Sequence, residues 1–246
     1  MALAAPARAA SFANWAAVVV SGDDEAAHAD IHTEAFDNAR RDVAAALERR
    51  GFSPANLAQF SVEPALHPRT APKAADLPAI ARTLSVLARR APAGCLVYFT
   101  SHGAPQGAVL ADRLLAPPAL ARAIDRACPG RPVVAVISAC FSGVFVPALA
   151  GPDRLVVTAA RRDRPSFGCG ESDRYPYFDA CVLASFPASA DFLALARRAR
   201  ACVADKERET GAEPPSDPQI FVGARLSLPT FQDAARNPLS RRGTQQ

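Results

Sequence analysis

The 246 residues are half hydrophobic, enough for one α/β core, since single cores extend to roughly 250 residues. The 28 Lys and Arg against 24 Asp and Glu are dispersed along Ala-rich segments. They form no contiguous basic stripe interleaved with aromatics of the kind a nucleic-acid surface requires, and no run approaches the ~20 apolar residues of a membrane helix.

Taken in chain order, apolar runs alternate with amphipathic ones. Trp15 to Val20 reads as a first core strand, leading into Ser21-Gly22-Asp23 without the form of a signal peptide. Thr33 to Arg50 reads as a helix with Phe36, Val43 and Leu47 on one side and Gly51 at its stop. Leu57 to Val62 is a strand, and the Pro-rich stretch from Glu63 to Ala75 a loop. Leu77 to Arg90 carries Leu77, Ile80, Leu84 and Leu87 at helical spacing. A strand over Cys95 to Thr100, a turn over Ala104 to Gly107, a helix over Pro117 to Ala127 and a strand over Val133 to Ser138 follow. Leu155 to Ala160 (strand), Ala190 to Glu209 (helix) and Ile220 to Leu226 (strand) complete the alternation. The pattern predicts a three-layer α/β fold, a mainly parallel central sheet flanked by helices. One domain over 15–228 is expected, between an N-terminal tail (1–14) and a poorly ordered C-terminal tail (229–246).

Chemistry concentrates at two strand ends. The runs LVYFT and VVAVIS lead directly into His102 and Cys140. In open parallel sheets ligands bind beyond the carboxyl ends of the strands, and one right-handed crossover fits between the two residues. A thiol beside an imidazole is the minimal apparatus of a cysteine nucleophile: the imidazole takes the thiol proton and later protonates the leaving amine. Gly103, lacking Cβ, allows close backbone approach, and Ser142-Gly143 suits a turn that exposes the thiol. Read one at a time, a Cys ending a buried strand is a small hydrophobe and a His before Gly a turn residue. It is their joint placement that points to catalysis.

The six cysteines, at 95, 128, 140, 169, 181 and 202, contain no CxxC and no His/Cys grouping with metal-ligand spacing. No metal or other cofactor is expected, nor a disulfide framework. Cys95, Cys128, Cys181 and Cys202 read as free core thiols and Cys169 as a loop thiol, which predicts a reducing, cytoplasmic compartment. His28, His32 and His67 have no evident partners.

These strings together carry a family resemblance. Apolar strand, His102-Gly103, crossover, apolar strand, Ser138-Ala139-Cys140 and Ser142-Gly143 are similar to the core of the caspase-like cysteine peptidases, and within them the legumain-like C13 family. Thr158-Ala159-Ala160 followed by Ser166-Phe167-Gly168-Cys169 resembles the segment after the nucleophile strand in that family. The resemblance implies a cysteine endopeptidase acting through a thioester on peptide or protein substrates, with His102 as base, Cys140 as nucleophile and the N–H groups of Gly103 and Cys140 as oxyanion hole. It places Ser166 in the substrate cleft. Ser138 stands where legumains have a pocket Glu, and Asp37 or Asn38 where they have an Arg, close to an Asn-Asp-Ala segment of metacaspases. An acid at position 37 implies a preference for Arg or Lys before the scissile bond, Asn38 one for Asn, while Asp37 alternatively serves only its helix N-terminus. Other readings of the same dyad are a non-peptidase hydrolase or acyltransferase, or a silent interaction scaffold. An α/β-hydrolase is disfavoured because its nucleophile precedes its His in a G-x-[SC]-x-G elbow.

Overall fold

The computed structural model describes residues 11–26 and 31–232. Ten strands and six α-helices alternate: β1 (Trp15–Ser21), α1 (Ala35–Arg49), β2 (Leu57–Ser61), β3 (Lys73–Ala74), α2 (Leu77–Arg90), β4 (Gly94–Thr100), β5 (Gly103–Ala104), β6 (Gly107–Leu110), β7 (Arg113–Leu115), α3 (Pro117–Ala127), β8 (Val133–Ser138), α4 (Val146–Leu149), β9 (Arg154–Thr158), α5 (Tyr177–Ser185), α6 (Phe192–Thr210) and β10 (Gln219–Val222). Seven strands form one sheet in the order β10-β9-β8-β4-β1-β2-β3. All neighbours are parallel except β10, which returns antiparallel to β9 at the edge.

The central strands β1, β4 and β8 are buried along their whole length, which explains their unbroken apolar runs: each face of a parallel sheet is covered by crossover helices. Val97, Phe99, Ala135 and Ile137 face α2 and α3. Leu96, Tyr98, Val134 and Val136 face α1, α5 and α6. The side-chain period of two thus splits each strand between two cores. The carboxylate of Asp76 accepts the Ala79 N–H at the start of α2, Asp191 does the same for α6, and Gly211 closes α6 in the left-handed region (φ 69).

The three-layer expectation is met, with additions. The segment expected as a turn after His102 is a second, antiparallel sheet, β5-β6-β7. Its strands are two to four residues long, too short for an alternating pattern to register. Helix α5 was not foreseen: Phe178, Cys181 and Val182 are buried around it, so it lacks the polar stripe from which helical periodicity is read. The expected N-terminal tail lies outside the described residues as far as residue 10, as does His28. So does the C-terminal tail from residue 233.

The expectation of free core thiols is overturned. Cys95 is bonded to Cys128, tying the start of β4 to the end of α3, and Cys181 to Cys202, tying α5 to α6. Only Cys140 and Cys169 are free. Spacing could not reveal the pairs, because each joins two elements brought together only by the fold. In the chain-entropy account, loops of 33 and 21 residues correspond to about 3.5 kcal/mol per cross-link. Reduction with a phosphine is therefore expected to lower the urea midpoint markedly. Coincident reduced and oxidised unfolding curves would show that the bridges do not form in solution.

Candidate active site

The end of β4 delivers His102 and the end of β8 delivers Cys140. These strands are hydrogen-bonded neighbours, with Thr100 opposite Ser138. The Ser101 N–H donates to the Ser138 carbonyl (3.0 Å), so the two exit loops leave the sheet stitched together. The Ser101 hydroxyl donates to the Val109 carbonyl (2.8 Å) and the Val109 N–H to the His102 carbonyl (2.9 Å). Strand β6 thereby holds the His102 backbone. Gly103 lies flat against the nucleophile loop, and a Cβ there would overlap the carbonyl oxygen of Cys140. Glycine at 103 is thus a requirement of the contact between the two loops.

The half-buried imidazole of His102 packs edge-to-face with the Phe36 ring, with ring centroids 5.0 Å apart and planes at 79°. Its Nε2 lies 2.9 Å from the carbonyl oxygen of Glu25. A carbonyl only accepts, so Nε2 carries the proton and Nδ1 is left as the atom that exchanges protons. The turn presenting that carbonyl is built by Asp23, whose Oδ1 accepts the N–H groups of Asp24 (2.9 Å) and Glu25 (3.2 Å). Burial raises the Asp23 carboxyl above its ordinary range, although these N–H bonds and the nearby His102 pull the other way.

Cys140 sits at a sharp turn. Phe141 after it adopts a left-handed conformation (φ 56), a strain of order 1 kcal/mol for a non-glycine residue. The turn is over-determined by its neighbours: the Phe141 N–H donates to the Arg164 carbonyl (2.8 Å), the Ser142 hydroxyl accepts the Ala160 N–H (3.1 Å), and Gly143 packs on the Arg161–Arg162 backbone. The thiol sulfur accepts the Ser166 N–H (3.2 Å) and approaches the Ser166 hydroxyl (3.6 Å). Among the described residues the backbone N–H of Cys140 finds no acceptor, so a donor stands unused beside the sulfur.

Cys169 also borders this cleft. Burial pushes its thiol up to about 12, with the charges of Cys140, Asp173 and Asp23 adding to the effect. It stays protonated at neutral pH and makes a poor nucleophile.

The expected specificity residues divide. Ser166 is at the sulfur. The Ser138 hydroxyl is buried and donates to Asp179 Oδ2 (2.7 Å), so it is committed beneath the cleft. Asp179, on the unforeseen α5, is fully buried and also accepts from Thr100 Oγ1 (2.8 Å) and the Tyr98 hydroxyl. Desolvation pushes its carboxyl up to about 6 against the pull of these three hydroxyls.

Asp37 does not supply the free acid that a basic pocket needs. It is 4% exposed, with Arg40 Nε at 2.5 Å and the Ser61 hydroxyl at 2.8 Å. His67 Nε2 lies 3.1 Å from its other oxygen, without hydrogen-bond geometry. Arg40 is itself fully buried and donates to Gln59 Oε1 (2.5 Å). The charge of Asp37 is therefore already compensated. His67, read as partnerless, belongs to this cluster, and exposed His32 pairs with Asp24 (3.3 Å). Asn38 is half-buried on the same helix, with no side-chain hydrogen bond among the described residues.

The Asp179 shift has a defined thermodynamic sign. A carboxyl raised from 3.8 to about 6 binds more protons folded than unfolded between those values, so its contribution to stability falls as pH rises through that window and is flat above it. The size is about 3 kcal/mol. Asp179→Asn is expected to remove this dependence: relative to the variant, the parent loses stability from about pH 4 to about pH 6. A constant difference across the window would overturn the assignment.

Comparison with known proteins adds a family match over part of the chain and a likeness of fold. A model described as the peptidase C13 family matches residues 76–197, a stretch containing His102, Cys140, Ser166 and Asp179. Among solved structures, the crystal structure of caspase-1 from Spodoptera frugiperda superposes with a TM-score of 0.62 at 16% identity, covering 93% of this chain and 94% of that one. A structure of pro-sf-caspase-1 gives a TM-score of 0.63 at 16% identity, over 89% and 95% of the two chains. No curated protein matches by sequence.

Proposed function

We propose that this chain, matched by a peptidase C13 family model over residues 76–197 and caspase-like in fold, is a cysteine peptidase with Cys140 as its nucleophile and His102 as its general base. The observation supporting this reading is that the stitched, neighbouring ends of β4 and β8 carry a half-buried imidazole and a free thiol, with Gly103 fitted against Cys140. Protein and peptide chains are its substrates.

In the reaction, Nδ1 of His102 takes the Cys140 proton while the Glu25 carbonyl holds the ring. The thiolate adds to the scissile carbonyl, whose oxygen becomes an oxyanion facing the N–H groups of Cys140 and Gly103. One such donor is worth about 3 kcal/mol in the transition state. Collapse expels the amine, which takes its proton from the imidazolium and leaves a thioester on Cys140. His102 then activates a water that hydrolyses the thioester and restores the thiol.

Specificity does not follow from Asp37, whose charge is satisfied by Arg40. If a basic residue is preferred before the scissile bond, the acid that supports it is Asp179, beneath the two strand ends, with Ser138 acting as its hydrogen-bond donor. Profiling with fluorogenic peptides that vary only in that residue reads this directly.

The disulfides bear on compartment. No helix among the described residues is long and apolar enough to cross a membrane. Four cross-linked cysteines support an oxidising environment, against the cytoplasmic location expected from free thiols.

The test of the nucleophile is alkylation by a thiol-directed peptide electrophile, mapped by mass spectrometry under non-reducing conditions. Label is expected on Cys140 and not on Cys169. Predominant labelling of Cys169 would overturn the assignment.

A further inference from the structure

Helices α2 and α3 lie side by side on one face of the sheet, and a groove of about 680 Å³ runs between them. Its floor is apolar: Ala81, Ala119 and Ala123 are half-buried, and Val86 is 51% exposed. Four arginines rim it, Arg82 and Arg89 from α2 and Arg122 and Arg126 from α3, and no acidic residue lines it.

All four guanidinium groups lack an acidic partner among the described residues. Some arginines elsewhere are paired, Arg41 with Asp42, Arg154 with Asp125 and Arg225 with Asp153, so what sets the groove apart is four unpaired guanidinium groups around one apolar floor. Position at a helix C-terminus accounts for Arg89 and Arg126, which complement the macrodipole there. It does not account for Arg82 or Arg122, which sit mid-helix, and Arg122 and Arg126 form a like-charged i,i+4 pair that weakens α3. Uncompensated like charge around an exposed apolar floor is complementary to a ligand that is apolar on one side and anionic on its flanks.

We propose that this groove docks an amphipathic, acidic α-helical segment of a partner or substrate protein. A third helix fits the trough between two packed helices through its own ridge of side chains. Helix α2, at 14 residues, offers a track of about 21 Å, so roughly four turns of a partner can lie along it. Leu or Ile side chains at i, i+3/i+4 and i+7 would cover Val86 and the alanines, while flanking Glu and Asp meet the four arginines. The charge steers encounter, and the apolar floor holds the complex once formed. The site is remote in sequence from Cys140 and does not depend on the peptidase reading, because binding is read without turnover.

The experiment uses the full chain and a fluorescein-labelled Leu/Glu amphipathic helical peptide, followed by anisotropy. Binding is expected at low ionic strength and should weaken about tenfold in Arg82→Glu/Arg122→Glu, since each surface charge contributes up to about a kcal/mol. Val86→Ser should weaken it severalfold with the charges intact. Arg197→Glu/Arg200→Glu, which removes exposed charge from α6, should leave it unchanged. Absence of binding, or equal loss from both charge-reversed pairs, would overturn the proposal. So would binding to phosphatidylglycerol vesicles with none to the peptide, which would assign the groove to a lipid surface instead.

Discussion

Cys140→Ala is expected to abolish peptide hydrolysis, lowering kcat/KM by at least ~10⁴-fold, the scale on which removal of a nucleophile acts when only binding and oxyanion stabilisation remain. The substitution is small and the site rigid. The Phe141 turn is held by Arg164, Ser142 and Gly143 rather than by the sulfur, so the variant should fold and still bind substrate. His102→Ala should cost ~10²–10⁴-fold, the usual contribution of a general base, and should also slow alkylation of Cys140, a readout that a purely structural histidine would not move. Cys169→Ala is the control: a thiol pushed up to about 12 contributes no nucleophile, and turnover should survive. Activity retained in Cys140→Ala but lost in Cys169→Ala would transfer the nucleophile to the loop.

Much of this site was legible in the amino-acid sequence because a parallel sheet converts order along the chain into position in space. Apolar runs too long to alternate had to be central strands, and whatever followed them had to sit at one edge. That reasoning put His102 and Cys140 at one edge, and the structure has them just beyond the neighbouring ends of β4 and β8. The partners of these residues were less legible. Glu25 acts through its backbone carbonyl, which no side-chain identity encodes. Asp179 lies on α5, where burial on nearly every side erases the helical signature. The disulfides join β4 to α3 and α5 to α6, contacts that exist only after folding. Asp37 shows the opposite failure. Its i,i+3 relation to Arg40 was visible, but the sequence alone could not show that both side chains are buried, and burial turns an unremarkable helical pair into a committed one.

That commitment sets the second large effect. Asp37→Ala leaves the Arg40 guanidinium fully buried with Gln59 as its nearest remaining acceptor and one nitrogen already without a partner. Removing one member of a buried ion pair costs about 3–5 kcal/mol, because the orphaned charge stays desolvated. A residue that read the substrate would instead change the peptide profile and leave stability near the parent's. The expected result is therefore a large fall in the urea midpoint, with the ratio of cleavage rates after Arg and after Asn unchanged in whatever folded protein remains. A paired substitution separates the two explanations further. Asp37→Leu with Arg40→Met removes both charges, and apolar replacement of a buried pair is often neutral or stabilising, so the double variant should recover most of the stability lost by Asp37→Ala. A loss of basic preference in this stable double variant would return Asp37 to the substrate pocket. An unchanged profile would confine it to the junction of α1 with β2, where Ser61 and Arg40 already account for both of its oxygens.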